Sequence, residues 1–213
     1  MDDTNRIIEL NQTFYKKIQE EFSKSRQKPF KGWKGVGEYI TENFNNPNIL
    51  DLGCGNGRFI KFFKKTYPDF DLSYTGADSN DFFLKEAKKT YPKGIYIKTD
   101  IFRNLNTVKG RFDVILGFGI THHFPSIEFA KKWVNQVLAL LNKDGVLILS
   151  FWIFESSPGK YIIGWGNKEN TTRICRQFSE PEIESIFSKT VLIDKFREKA
   201  SKKGNHNVYY ILK

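Results

Sequence analysis

Ile49-Leu50-Asp51-Leu52-Gly53-Cys54-Gly55-Asn56-Gly57-Arg58 is an apolar run that ends in an acid and passes at once into glycines at alternate positions. Positions without side chains let the backbone turn sharply and approach a ligand closely. The carboxyl end of a strand is where open α/β sheets bind their ligands. The run therefore reads as a first strand, Asn48 to Leu52, a tight turn, and a helix from Arg58 to Thr66. Asp51 sharpens this reading, because a carboxylate there accepts hydrogen bonds from a cationic amino group and repels a pyrophosphate.

Downstream, short apolar runs alternate with longer amphipathic ones, the signature of strand-helix units around a parallel sheet. Strands are expected at Leu72 to Ala77, Gly94 to Lys98, Phe112 to Gly117 and Gly145 to Trp152, and helices at Asp81 to Thr90 and Ile127 to Leu141. In the last helix Phe129, Trp133, Val137 and Leu141 recur at helical spacing as a core stripe. Residues 155–178 hold three glycines and a proline without sustained period and read as an inserted loop. Ser179, Pro181 and Glu182 then form the start signal of a short helix, a capping box with proline in the first turn. Thr190 to Phe196 and Val208 to Leu212 read as a β-hairpin with a basic tip, and two helices, Arg6 to Phe22 and Gly35 to Phe44, precede the first strand. The expected fold is a doubly wound α/β domain, with a mostly parallel seven-stranded sheet and a C-terminal antiparallel hairpin. Its 213 residues suit one domain: N-terminal helices (1–46), a ligand-binding core (47–154), the inserted loop (155–178) and a C-terminal helix and hairpin (179–213).

Lys and Arg outnumber Asp and Glu by 34 to 24, a formal charge of +10. That balance favours a polyanionic partner where the cations cluster on one face; a solvated lysine-rich surface gives the same sum. Two cysteines are too few for a disulfide framework and suit a reducing compartment. The first residues lack the basic and apolar regions of a secretory signal, and no run reaches the ~18 apolar residues of a membrane span. A cytoplasmic protein without a membrane partner is expected.

Two more acids stand at strand ends. Asp78, with Ser79, lies 21 residues beyond Gly57, where a carboxylate accepts the hydroxyls of a ribose. Asp100 ends the third strand, placed to accept from an adenine amino group while Ile101 covers the ring. Each alone could be a turn or cap residue; three in this order make one site. These residues resemble the class I S-adenosylmethionine-dependent methyltransferases over about residues 35–155. The resemblance implies that Asp51, Gly53, Cys54, Gly55 and Gly57 surround the methionine moiety of S-adenosylmethionine. It implies too that Asp78 and Ser79 hold the ribose, that Asp100 and Ile101 hold the adenine, and that Gly117 and Phe118 close the site from the fourth strand. Tyr15 and Arg26 would cap the cofactor from the N-terminal segment, the arginine facing its carboxylate.

A narrower resemblance lies outside that core. Asn11-Gln12-Thr13-Phe14-Tyr15, Ser25 to Phe30, Ile120-Thr121-His122-His123-Phe124, Leu149 to Trp152 and Arg173 to Glu184 are similar to segments of the tRNA wobble-uridine carboxymethyl methyltransferases. That likeness implies tRNA as substrate, the carboxylate of 5-carboxymethyluridine as acceptor, and a small zinc-binding activator protein as possible partner. A small-molecule O- or N-methyltransferase is the alternative. His122 and His123 are expected to position the acceptor. Neighbouring residues on a regular element point apart and no cysteine stands at zinc spacing nearby, so no metal is expected. In the inserted loop Tyr161 and Trp165 offer stacking surfaces, and Lys160, Lys168, Arg173 and Arg176 offer cations for phosphates. Two further alternatives are a nicotinamide-dependent oxidoreductase and a non-catalytic RNA-binding module. The first uses Gly-x-Gly-x-x-Gly, not the Gly-x-Gly-x-Gly of this chain, and the second would show decay that three acids and three glycines do not.

Overall fold

A computed structural model describes residues 3–154, 156–165, 171–198 and 204–213. Seven strands form one sheet in the order β3-β2-β1-β4-β5-β9-β8. Its parallel part comprises β1 (Asn48–Leu52), β2 (Ser73–Asp78), β3 (Ile95–Lys98), β4 (Phe112–Gly117) and β5 (Leu141–Ile153). β9 (His206–Leu212) runs antiparallel to β5, and β8 (Leu192–Arg197) closes the edge beside it. The expected mostly parallel seven-stranded sheet with its C-terminal hairpin is thus the one observed.

The central strands are apolar on both faces because both are covered. Successive residues Ile49 and Leu50, Val114 and Ile115, and Tyr209 and Tyr210 alternate between two cores. On one side α2 (Trp33–Asn43) and α3 (Arg58–Thr66) bury Val36, Ile40, Phe59, Ile60 and Phe63. On the other, α5 (Ile127–Leu138) and α6 (Glu180–Ile186) bury Trp133, Val137, Ile183 and Ile186. α4 (Asp81–Thr90) follows β2 and is capped by Asn80, whose side chain accepts from Phe82 and Phe83 N–H. The capping box of α6 forms as expected, with Ser179 and Glu182 exchanging side chain and backbone bonds.

Two expectations need correction. α5 ends at Leu138, not Leu141: the Leu140 carbonyl accepts from Phe112 N–H (2.9 Å), and Leu141 already pairs with Phe112. Residues 155–178 are not an irregular loop. Among them, β6 (Gly159–Gly164) and β7 (Thr172–Gln177) form an antiparallel ribbon. β7 has a period of two, but its buried positions carry Arg173, Cys175 and Gln177, so polarity hides the alternation from an apolar pattern search. α1 (Asp3–Ser25) lies against β7, α4 and a 3-10 turn at Thr121–His123, and so roofs the carboxyl ends of the parallel strands. No helix among the described residues is long and apolar enough to cross a membrane.

Candidate active site

A pocket of about 920 Å3 opens at the carboxyl ends of β1, β2 and β4, where the strand order reverses between β1 and β4. Its lining includes an acidic, glycine-rich group, Asp51, Gly53, Cys54, Gly55, Asp78, Ser79, Asp100, Ile101 and Phe118, and a cationic and aromatic group, Tyr15, Arg26, His122, His123, Trp152 and Arg173.

In the acidic group, Gly55 has φ +53 and a Cβ added there would meet no atom within 4 Å. It faces empty pocket rather than protein. Asp51 is buried and accepts from the Tyr74 hydroxyl (2.8 Å). Burial, offset in part by that bond, pushes its carboxyl up to about 7. Asp78 accepts from Gly55 N–H (3.0 Å) with one oxygen and from Asn80 N–H (2.9 Å) with the other. A carboxylate offers about four lone-pair sites, so both oxygens retain capacity for a ligand. Asp100 accepts from Phe102 and Arg103 N–H and pairs with the Arg103 side chain.

Two glycines from the sequence reading do not line the pocket. A Cβ at Gly57, the N-cap of α3 at φ +75, would lie 3.1 Å from the Cα of Ala87 in α4. One at Gly117 would lie 2.6 Å from Leu149. Both serve close packing of the elements that hold the site.

The other group is cationic and aromatic. Arg173 is buried, with its guanidinium over the rings of Phe14, Tyr15 and Trp152 at 4.9, 5.4 and 5.7 Å. Its Nη1 donates to the Tyr15 hydroxyl (2.7 Å) and its Nε has no partner among the described residues. His123 is bonded through Nε2 to the Tyr15 hydroxyl (2.9 Å) and through Nδ1 to the Asn11 amide (3.0 Å). His122 stacks on Trp152 at 3.5 Å, and neither of its ring nitrogens has a partner among the described residues. Burial pushes His122 well below the ordinary histidine value, and burial with the nearby Arg173 charge pushes His123 down to about 3. Both imidazoles are therefore neutral at physiological pH. Arg26 lies over Phe22 (5.1 Å) and Trp165 (5.5 Å) at the pocket wall.

The two histidines sit on a 3-10 turn, so their rings come within 4.0 Å of each other instead of pointing apart. Cys175 joins them, and one ligand-type atom from each residue falls within 4.8 Å of the others. The cysteine that sequence spacing did not reveal is thus adjacent. The set does not fit a metal ion: Asn11 and Tyr15 take both His123 nitrogens, burial pushes the Cys175 thiol up, and a guanidinium stands alongside.

A "Methyltransferase domain" family model matches residues 19–190, which is most of the chain. The chain belongs to this methyltransferase family. Among relatives, the tRNA (carboxymethyluridine(34)-5-O)-methyltransferase of Saccharomyces cerevisiae is 24% identical over 160 residues, covering 73% of this chain and 54% of that protein. The enzyme of the same name from Schizosaccharomyces pombe is 28% identical over 146 residues, covering 68% and 58%. The methyltransferase chain thus spans little more than half the length of these relatives. A solved Burkholderia thailandensis 1,6-didemethyltoxoflavin-N1-methyltransferase, with S-adenosylhomocysteine bound, superposes with a TM-score of 0.71 at 17% identity, covering 100% of this chain and 90% of that one. That likeness fixes the fold of this methyltransferase as the class I type.

Of the inserted-segment residues expected to meet an acceptor in this methyltransferase, five are described, and among those five Arg173 alone lines the pocket. Lys160 pairs with Asp3 (3.3 Å), Arg176 with Glu182 (2.9 Å), and the Tyr161 hydroxyl donates to the Ser157 carbonyl. Trp165 packs on Phe22, its centroid 5.6 Å away. Lys168 lies outside the described residues. Asn11 opens a segment similar to the tRNA methyltransferases, but sequence reading gave it no role; its signal was a lone amide among Ile7, Phe14 and Ile18 on the buried stripe of α1.

Proposed function

We propose that this methyltransferase uses S-adenosylmethionine and delivers its methyl group to the carboxylate of a 5-carboxymethyl wobble uridine in tRNA. The single observation that carries the acceptor's chemistry is the buried Arg173 beside a pair of histidines whose burial disfavours their charged forms. A phenol or amine acceptor needs a base, and imidazoles held this far below their usual pKa are poor ones. A carboxylate is already ionised, needs no base, and is drawn to a guanidinium. The tRNA assignment draws on the likeness to the two yeast enzymes and on the net charge of +10.

The acidic group fits the cofactor. Gly55 leaves open the space a ligand would cross, Asp51 offers a buried carboxylate to an amino group, and Asp78 retains acceptor capacity for ribose hydroxyls. Asp100 and Ile101 flank the space for a base, Phe118 closes the floor, and Arg26 can face the cofactor carboxylate. When bound, S-adenosylmethionine supplies an electrophilic methyl group on a sulfonium. The residues' share is positioning: Asp51 fixes the amino group, while Tyr15, Arg173 and His122 hold an oxygen in line with the methyl carbon and keep water out. With the cofactor bound, an ionised acceptor oxygen would form the new C–O bond as the C–S pair returned to sulfur, so none of these residues would have to move a proton.

Asp51 gives a pH signature. Its folded pKa of about 7 is raised above the ordinary carboxyl value. Its contribution to the stability of the unliganded protein is thus fully present at low pH and lost as pH rises through 7. Binding an ammonium group requires the ionised form. S-adenosylhomocysteine affinity is expected to climb between pH 6 and 8 with release of a proton, read by calorimetry in two buffers of different ionisation enthalpy. An Asp51→Asn variant with the same pH slope would refute this origin.

The direct test incubates the protein with methyl-labelled S-adenosylmethionine and total tRNA, with and without a small zinc-binding activator protein. The expected product is base-labile label in tRNA, as an ester requires. A small-molecule carboxylate is the second reading, favoured by the internal pairing of Lys160 and Arg176, which removes two expected phosphate contacts. Label found in a metabolite extract and absent from tRNA would establish it instead.

A further inference from the structure

The buried hydrogen-bond chain around His123 has a direction that can be worked out atom by atom. It starts at the backbone of Ile174 in β7. Ile174 N–H donates to Asn11 Oδ1 (2.8 Å), and Asn11 Nδ2 donates to the Ile174 carbonyl (2.9 Å). This two-bond pairing fixes which end of the amide is nitrogen, since a flipped amide would set donor against donor and acceptor against acceptor. The second hydrogen of Asn11 Nδ2 is then directed at His123 Nδ1 (3.0 Å), and Nδ1 accepts it in competition with giving a proton to the Ile174 carbonyl, which already accepts from Asn11. A neutral imidazole that accepts at Nδ1 carries its proton on Nε2. That proton is donated to the Tyr15 hydroxyl (2.9 Å). The same oxygen accepts from Arg173 Nη1 (2.7 Å). Both acceptor positions of Tyr15 are thus filled, and its own hydrogen must be given to a third group.

We infer that Asn11 and His123 are positioning residues that lock the Tyr15 hydroxyl as an outward donor, and that Tyr15 and Arg173 together form a receptor for the carboxylate of the methyl acceptor. This rests on the carboxylate reading above and names the residues that would enforce it. Tyr15 and Arg173 both line the pocket. Arg173 lies over Trp152 (5.7 Å) and Tyr15 packs edge-on against His123 (5.4 Å); on the carboxylate reading this pair takes the acceptor's carboxylate and Arg26 is left for the cofactor's. A neutral amide offers one acceptor oxygen where the carboxylate offers two, and its NH2 would face a donor of the receptor. The device therefore selects an anion over its isosteric amide.

The test uses three measurements on the full chain. Long-range 15N NMR of the imidazoles should show His123 protonated at Nε2; protonation at Nδ1, toward the Ile174 carbonyl, overturns the inference. With S-adenosylhomocysteine bound, 5-carboxymethyluridine nucleoside should shift the His123 and Tyr15 signals, and 5-carbamoylmethyluridine should bind at least about tenfold more weakly. Equal binding of the two, or binding of neither, also overturns it. Tyr15→Phe should abolish the preference while changing S-adenosylhomocysteine affinity less than about threefold. A tenfold loss of that affinity would transfer the donor to the cofactor carboxylate and overturn the assignment. Asn11→Asp gives an independent check: the added acceptor should draw the His123 proton to Nδ1, turn Tyr15 inward and remove the preference without loss of the phenol. If the nucleoside binds as expected while no tRNA is methylated, the donor device stands and the tRNA reading falls.

Discussion

Gly55→Val is expected to lower S-adenosylhomocysteine affinity at least a hundredfold, about 3 kcal/mol, while the protein stays folded. At φ +53 the position costs any L-residue about 1–2 kcal/mol, more for a β-branched one. That strain falls on folding, and it is modest because no protein atom lies within 4 Å of the new Cβ. The main cost falls on the ligand, because the valine methyls project into the space that the turn keeps open. Gly57→Ala should behave in the opposite way. Its Cβ would press on the backbone of Ala87 at 3.1 Å, so thermal stability should fall while the surviving folded protein binds almost normally. Calorimetric affinity and a melting curve for the pair separate the two roles. Gly55→Val binding within threefold of wild type would mean that no ligand passes over the turn.

The contrast between those glycines marks how far the sequence could be read. The strand-turn-helix from Asn48 to Thr66 was legible because a buried parallel strand must be apolar on both faces and a tight turn must be glycine-rich. The acids at Asp51, Asp78 and Asp100 were legible because strand ends are fixed once strands are. Which glycine faces a ligand and which faces a helix was not legible, since both need positive φ and differ only in what lies beyond the Cβ. The β6–β7 ribbon was missed for a related reason. Its inward positions are filled by Arg173, Cys175 and Gln177, so buried polar side chains stand where the hydrophobic pattern that announces a strand is expected. The expected phosphate-binding role of the same segment counted charges along the chain. Pairing with Asp3 and Glu182, residues remote from the ribbon or just beyond it, decides what those charges can reach.

Arg173→Lys is expected to lower kcat/KM for a carboxylate acceptor about a hundredfold or more, with S-adenosylhomocysteine affinity unchanged within about threefold. Lysine keeps the charge, so a purely electrostatic role would survive the exchange. The geometry demands more than charge. The guanidinium is held over three aromatic rings, donates to Tyr15 and has no Nε partner among the described residues, and a tetrahedral ammonium on a flexible stem cannot reproduce this arrangement. Losing a preset donor to an ion costs about 1.5–3 kcal/mol, and losing its hold on Tyr15 releases a second donor to rotate away. The two together set the hundredfold floor. The loss should appear in kcat as well as KM, because an acceptor oxygen out of line with the methyl carbon binds without reacting. A fall in KM-dependent terms alone would reduce Arg173 to a charge that attracts acceptors, and a parallel fall in cofactor affinity would place it at the cofactor's carboxylate.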